Sequence, residues 1–261
     1  MRGALVGILS DLIKAVAKST TAGSDEGSRA PRRPHSVKSE AALATPGAAK
    51  EAVSDWERSG RPEQKPIPWP QSEWIKAFPE LEPMLSSMSN PLDRDHVRKT
   101  VASQSDDEDG AVAAFVACMA WGYGRTGYGR TRTRNVLQNN HNAPEKLSRA
   151  RDIATKGGLR AAFEAYKFLS DDGRLEGLGP AFGTKFIHFH NRDGLILDKL
   201  TGDWFRRASG VDLHPTRWDS SKYREYLAFM GGWAEDLCVS SDQLEEIAFS
   251  QISRERGNQW T

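Results

Sequence analysis

Lys185 and Asp198 are the residues of this chain whose types and setting most invite chemistry, an amine and a carboxylate 13 positions apart (198 minus 185). The lysine falls in the first turn of a helix expected from Ala181 to Asn191. There the positive end of the helix dipole disfavours an ammonium ion and so favours a nucleophilic free amine. Asp198 follows Leu195, Ile196 and Leu197, an apolar run that should bury the chain up to the carboxylate. It opens the next expected helix, Lys199 to Ala208, as its N-cap, and cap amides keep a carboxylate ionised and able to offset positive charge nearby. Plainer roles compete: a helix lysine usually points into water, and an aspartate in such a place most often only caps.

The stretch before the lysine is built to turn. Gly177, Gly179 and Gly183 accept backbone angles that other residues resist, and Pro180 suits a first helical position, which predicts helix, tight hairpin, helix. A helix that starts at such a hairpin turns unpaired N–H groups outward, so Gly177, Gly179, Gly183 and Thr184 form a candidate grip on phosphate. A Walker phosphate loop does not fit, because the order is Gly-Thr-Lys and the residue five before Gly183 is Leu178. Upstream, Trp121 to Arg160 carries nine Lys/Arg against two acids, although the whole chain has a net charge of only +1. A nucleic-acid role must therefore come from this local patch. Arg125, Arg130, Arg132 and Arg134, set among glycines and Tyr123 and Tyr128, are its candidate backbone contacts; the competing reading is a solvated basic helix face.

Gly183, Thr184 and Lys185, then Leu197 and Asp198, resemble the helix-hairpin-helix DNA glycosylases, in particular the 8-oxoguanine branch. Trp121 to Arg134, WGYGRTGYGRTRTR, is similar to bacterial proteins of the same 8-oxoguanine glycosylase fold, so the resemblance spans roughly Ile67 to Arg256. It implies excision of an oxidised or otherwise altered base from double-stranded DNA, with Lys185 as nucleophile, Asp198 assisting, and an AP-lyase step through a lysine Schiff base. No cofactor is required. A flipped base needs flat or apolar walls, for which Phe189, one turn after Lys185, and Trp233, in a Gly-Gly-Trp break of a late helix, are the candidates. Each is more often plain core. The alternatives are a non-catalytic helix-hairpin-helix DNA-binding protein, a glycosylase for a non-damage base such as a phage modification, and an RNA-binding surface.

The elements that must position these groups read as helices throughout, since apolar residues recur at helical spacing and no segment sustains a period of two. The expected fold is all-α over 67–261. Ser72 should cap a first short helix, and AVAAFVACMAW, after an acidic run, should be the central buried one. Ser240 and Gln243 announce a capping box. Residues 1–17 form a possible amphipathic helix, too short and too charged to span a bilayer, and 18–66, rich in small, polar and charged residues, read as a disordered linker. Two cysteines, Cys118 and Cys238, in apolar helical contexts point to a reduced, cytoplasmic protein; their number excludes a four-cysteine iron-sulfur site, and no His/Cys spacing suggests zinc. His188, His190 and His214 show no partner in sequence that would make them ligands or catalysts. The metal expectation is none, although hairpin carbonyls around Gly177 to Gly179 could hold an ion, and a monomer is the expected state.

Overall fold

Residues 44–213 and 215–257 are described by a computed structural model, which places twelve α-helices and one 3-10 turn and, among those residues, no strand beyond a single Ile67–Leu92 bridge. The fold is all-α, as the helical periodicity requires. The expected helix over 1–17, the linker up to residue 43 and His214 lie outside the described residues.

The linker reading fails from residue 44 onward. Gly47–Arg58 (α1) is a helix with Ala49, Ala52 and Val53 buried. Alanine carries little hydrophobic signal in composition, yet its small size lets α1 lie close against the last helix, and Gln64 N donates to Glu246 Oε1 at 2.6 Å to fasten the following segment. Next come Gln71–Ala77 (α2), the 3-10 turn Pro79–Leu81 and Glu82–Ser87 (α3); Pro70 rather than Ser72 stands at the N-cap of α2. Arg94–Ala102 (α4) starts at Asp93, whose carboxylate accepts from His96 N at 2.6 Å.

Glu108–Tyr123 (α5) is apolar all round and is buried on nearly every side, the behaviour of a helix with no polar face to offer water. Asp107 caps it by accepting from Gly110 N at 2.8 Å. Around it pack α4, Gly129–Gln138 (α6), Ala143–Ala154 (α7) and Pro180–His190 (α9), while Gly158–Ser170 (α8) covers α7 and α9. Lys199–Ser209 (α10), Ser220–Asp236 (α11) and Ser241–Glu255 (α12) form a second group, with α12 touching α1, α10 and α11. The helix α11 runs unbroken through Gly231 and Gly232, so the break expected there does not exist. Cys118 is buried within α5, whereas Cys238 lies exposed beyond the end of α11 at φ 56°.

The connection between α8 and α9 is longer than a tight hairpin, running from residue 171 to 179. Gly177 sits in it at φ 82°. Gly183, inside α9, is buried under Trp218, where an added Cβ would come within 2.3 Å of Cη2 of that ring. Trp218 in turn donates from Nε1 to Leu178 O at 3.1 Å, tying the loop to α9. Gly183→Ala is expected to destabilise by about 1–3 kcal/mol through overpacking, read as a lower midpoint of thermal unfolding. An unchanged midpoint would mean that the indole swings aside without cost.

Candidate active site

The run Leu195–Asp198 has no strand partner, so its backbone polar groups must be satisfied by side chains. Tyr223 donates to Leu195 O at 2.9 Å, Tyr226 to Ile196 O at 3.0 Å, and Leu197 N donates to Thr184 Oγ1 at 3.0 Å. Thr184 is therefore wholly buried and staples α9 to this run; it does not face phosphate. The staple sets the register between Lys185, its neighbour, and Asp198. Lys185 Nζ donates to Asp198 Oδ2 at 3.0 Å.

Asp198 is held on both oxygens. Its Oδ1 accepts from Leu200 N at 2.9 Å and Thr201 N at 3.1 Å, and Thr201 Oγ1 accepts from Asp198 N at 2.9 Å, a complete capping box. Burial works against a charged carboxylate here, but the Lys185 ammonium and the cap amides prevail and hold Asp198 below the usual carboxylate range. Lys185 keeps only 7% of its side chain exposed and Asp198 18%. The lysine stem fits against Gly122 in the last turn of α5, where a Cβ would come within 2.9 Å of Lys185 Cδ. Nζ also lies 5.4 Å from the centre of the Phe182 ring.

Both groups line a cavity of about 290 Å³. Its aromatic residues are Trp121, Tyr123, Tyr128, Phe182 and Phe249. Tyr123 stacks on Phe182 at 4.1 Å, and Tyr128, 57% exposed, meets Tyr123 edge-on at 5.5 Å. The expected walls are elsewhere. Phe189 is buried against Trp121, ring centres 5.2 Å apart, and Trp233 is buried among Trp204, Phe205 and Phe229; neither lines the cavity. Helical spacing put Phe189 on the face of Lys185, but that face continues into the core as the lysine stem ends.

A second ion pair completes the lining. Arg94 from α4 and Glu245 from α12 meet with Nη1 2.7 Å from Oε2, at 6% and 0% exposure. Burial raises the Glu245 carboxyl, Arg94 opposes that, and the charge of Asp198 adds to it. Sequence reading missed both residues. A signal existed only for Glu245, an acid at a position that the period of α12 assigns to the core beside Leu244 and Ala248.

The phosphate-grip residues divide. Gly177 is exposed and Gly179 half-buried, whereas Gly183 and Thr184 are packed inside. The loop carrying Gly177 abuts the basic helix α6: Asn140 Nδ2 donates to Glu176 O at 3.2 Å, and Glu176 N donates to Asn140 Oδ1 at 2.9 Å. The two stretches singled out in the sequence thus share one surface. Arg125 and Arg132 are exposed on it. Arg130 lies 3.9 Å from Glu73, and Arg134 is bound to Ala77 O over the Phe78 ring. Arg151, counted in the basic excess, is buried and donates to the carbonyls of Ser105, Asp106 and Asp107, which removes it from any such surface.

The model of one protein family, described as "Putative 8-oxoguanine DNA glycosylase OGG-like protein", matches residues 60–249 of the 261-residue chain. The chain belongs to this OGG-like glycosylase family. The match contains every residue of the cavity and the whole basic surface. DNA is the substrate that the family implies. No curated protein and no solved structure matches the chain. Among the described residues, no helix of this OGG-like chain is long and apolar enough to cross a membrane. His188 is a core residue and His190 a half-buried one: burial first, then neighbouring arginines, push His188 well below its ordinary value, and burial takes His190 down to about 3. His188 Nε2 accepts from Arg98 at 2.8 Å, which leaves Nδ1 to donate to Gly194 O at 3.1 Å.

Proposed function

We propose that this chain is a DNA glycosylase that excises an altered base, 8-oxoguanine or another modified base, through a covalent intermediate on Lys185. The observation that carries the reading is the contact of Lys185 Nζ with Asp198 Oδ2, 3.0 Å, inside an aromatic-lined cavity next to the basic surface. Arg125, Arg132 and the amides near Gly177 and Gly179 hold the backbone, and the N-terminus of α9, which has no side-chain cap, adds its dipole. The base leaves the stack and enters the cavity.

Lys185 loses a proton to solvent and reacts as the free amine: its lone pair forms a bond to the sugar C1′ as the C1′–base bond breaks, while Asp198 stays ionised. The base leaves with the bonding electrons and takes up the proton that the new Nζ–C1′ bond makes acidic on Nζ. While the bond breaks, positive charge gathers on the sugar, and the fixed carboxylate of Asp198 offsets it. Ring opening then gives a Schiff base between Nζ and C1′. Loss of a C2′ proton from that adduct expels the 3′ phosphate, which is the lyase step.

Incubation with duplexes that each carry one altered base, scored for strand cleavage with and without alkali, tests the reading. Cleavage without alkali is the expected result for at least one base. Tight, salt-sensitive duplex binding with no base released from any duplex would favour a non-catalytic DNA-binding protein instead.

A further inference from the structure

The lysine chemistry makes no use of the Arg94–Glu245 pair, although it lines the same cavity. Its members come from α4 and α12, 151 positions apart. Burying two charges is costly, and an apolar pair of the same size often serves stability as well or better, so the pair calls for a use beyond holding helices together. A guanidinium has five N–H donors. Three are engaged: Nε to Gln64 Oε1 at 2.8 Å, Nη1 to Glu245 Oε2 at 2.7 Å and Nη2 to Glu245 Oε1 at 3.4 Å. One N–H on each Nη is left. The group lies 5.3 Å from the centre of the Trp121 ring, another cavity residue, which fixes its plane. Glu245 has no exposed surface, so its part is to hold Arg94.

We propose that Arg94 reads the base in the cavity, selecting bases that turn a carbonyl oxygen toward a spare Nη–H donor, with Glu245 as the positioning residue. This rests on the glycosylase reading and adds a substrate class to it. Arginine offers donors only, so an exocyclic amino group facing it would be left unpaired in a buried place. Bases without a carbonyl oxygen, ethenoadenine among them, are the ones rejected.

The test uses the full chain with Lys185→Gln, which cannot turn over, titrated with duplexes carrying 8-oxoguanine, hypoxanthine or the carbonyl-free ethenoadenine. At least one carbonyl-bearing duplex should bind about tenfold to a hundredfold more tightly than the ethenoadenine duplex. Adding Arg94→Gln and Glu245→Gln together, so that no lone charge stays buried, should bring that ratio close to one. Should the exchanged pair fail to fold, Arg94→Lys decides, since it keeps the charge without the planar fork and should lose most of the preference. No preference at the outset, or a preference that survives these changes, overturns the proposal. Borohydride trapping of the unaltered chain on abasic DNA, which holds no base for Arg94 to read, separates the two questions: absence of trapping there sinks the lysine mechanism, and its presence leaves only the reading of the base at issue.

Discussion

Lys185→Gln is expected to abolish borohydride-trapped cross-linking to abasic DNA and to lower base release by roughly 10⁴-fold or more, the scale of losing a nucleophile that acts as part of a unit. Affinity for duplex DNA should change little. Glutamine cannot form a Schiff base, yet it is short enough to lie in the space beside Gly122, where the lysine stem runs. Asp198 would not be orphaned, because the amides of Leu200 and Thr201 still hold Oδ1. The fold should therefore survive, and circular dichroism with a duplex titration would establish that before trapping is scored. Trapping at the level of the unaltered chain would move the covalent bond to another amine. Lys199, which is exposed and also lines the cavity, is the one to exchange next.

The amine and the carboxylate were legible in the sequence because each belongs to a helix whose start has local marks, although Lys185 is the sixth residue of α9 and lies past the first turn where it was expected. A glycine-proline entry announces α9, and an aspartate after an apolar run announces α10. The fold class was legible for a similar reason, since period and caps are short-range properties. What decides the rest is long-range. Thr184 looked like part of a phosphate loop, but its hydroxyl is taken by Leu197 N, a contact across 13 positions that no local pattern encodes. Phe189 and Trp233 failed as walls because an aromatic residue at helical spacing is core unless a cavity happens to open beside it. The opening lies instead beside Tyr123, Phe182 and Phe249, and it is made by the ends of α5 and α9 meeting α12. Arg94 and Glu245 are 151 positions apart and each is an unremarkable charge by itself. In α1, small residues rather than large ones do the packing, so composition resembled a linker.

Asp198→Asn separates the carboxylate's two duties. Asparagine caps a helix about as well as aspartate, so the start of α10 should hold. What disappears is the negative charge. If that charge offsets the cation growing on the sugar, base release should fall by about 10²–10³-fold, the scale of losing one fixed transition-state contact. Trapping on abasic DNA should fall less, because there is no glycosidic bond left to break. Asp198→Ala removes the cap as well and should cost about 1 kcal/mol more in stability. The acid limb of stability gives an independent reading. The Asp198 carboxyl is held below its ordinary range, so the stability it contributes is present above its unfolded value and is lost as pH falls through the lower folded value. The Asn variant should lack that part of the acid-induced loss, so its deficit against the unaltered chain should shrink as pH falls. A deficit that stays constant from neutral to acid pH would show that the carboxylate is not held ionised by Lys185 and the cap amides, and the charge argument for catalysis would go with it.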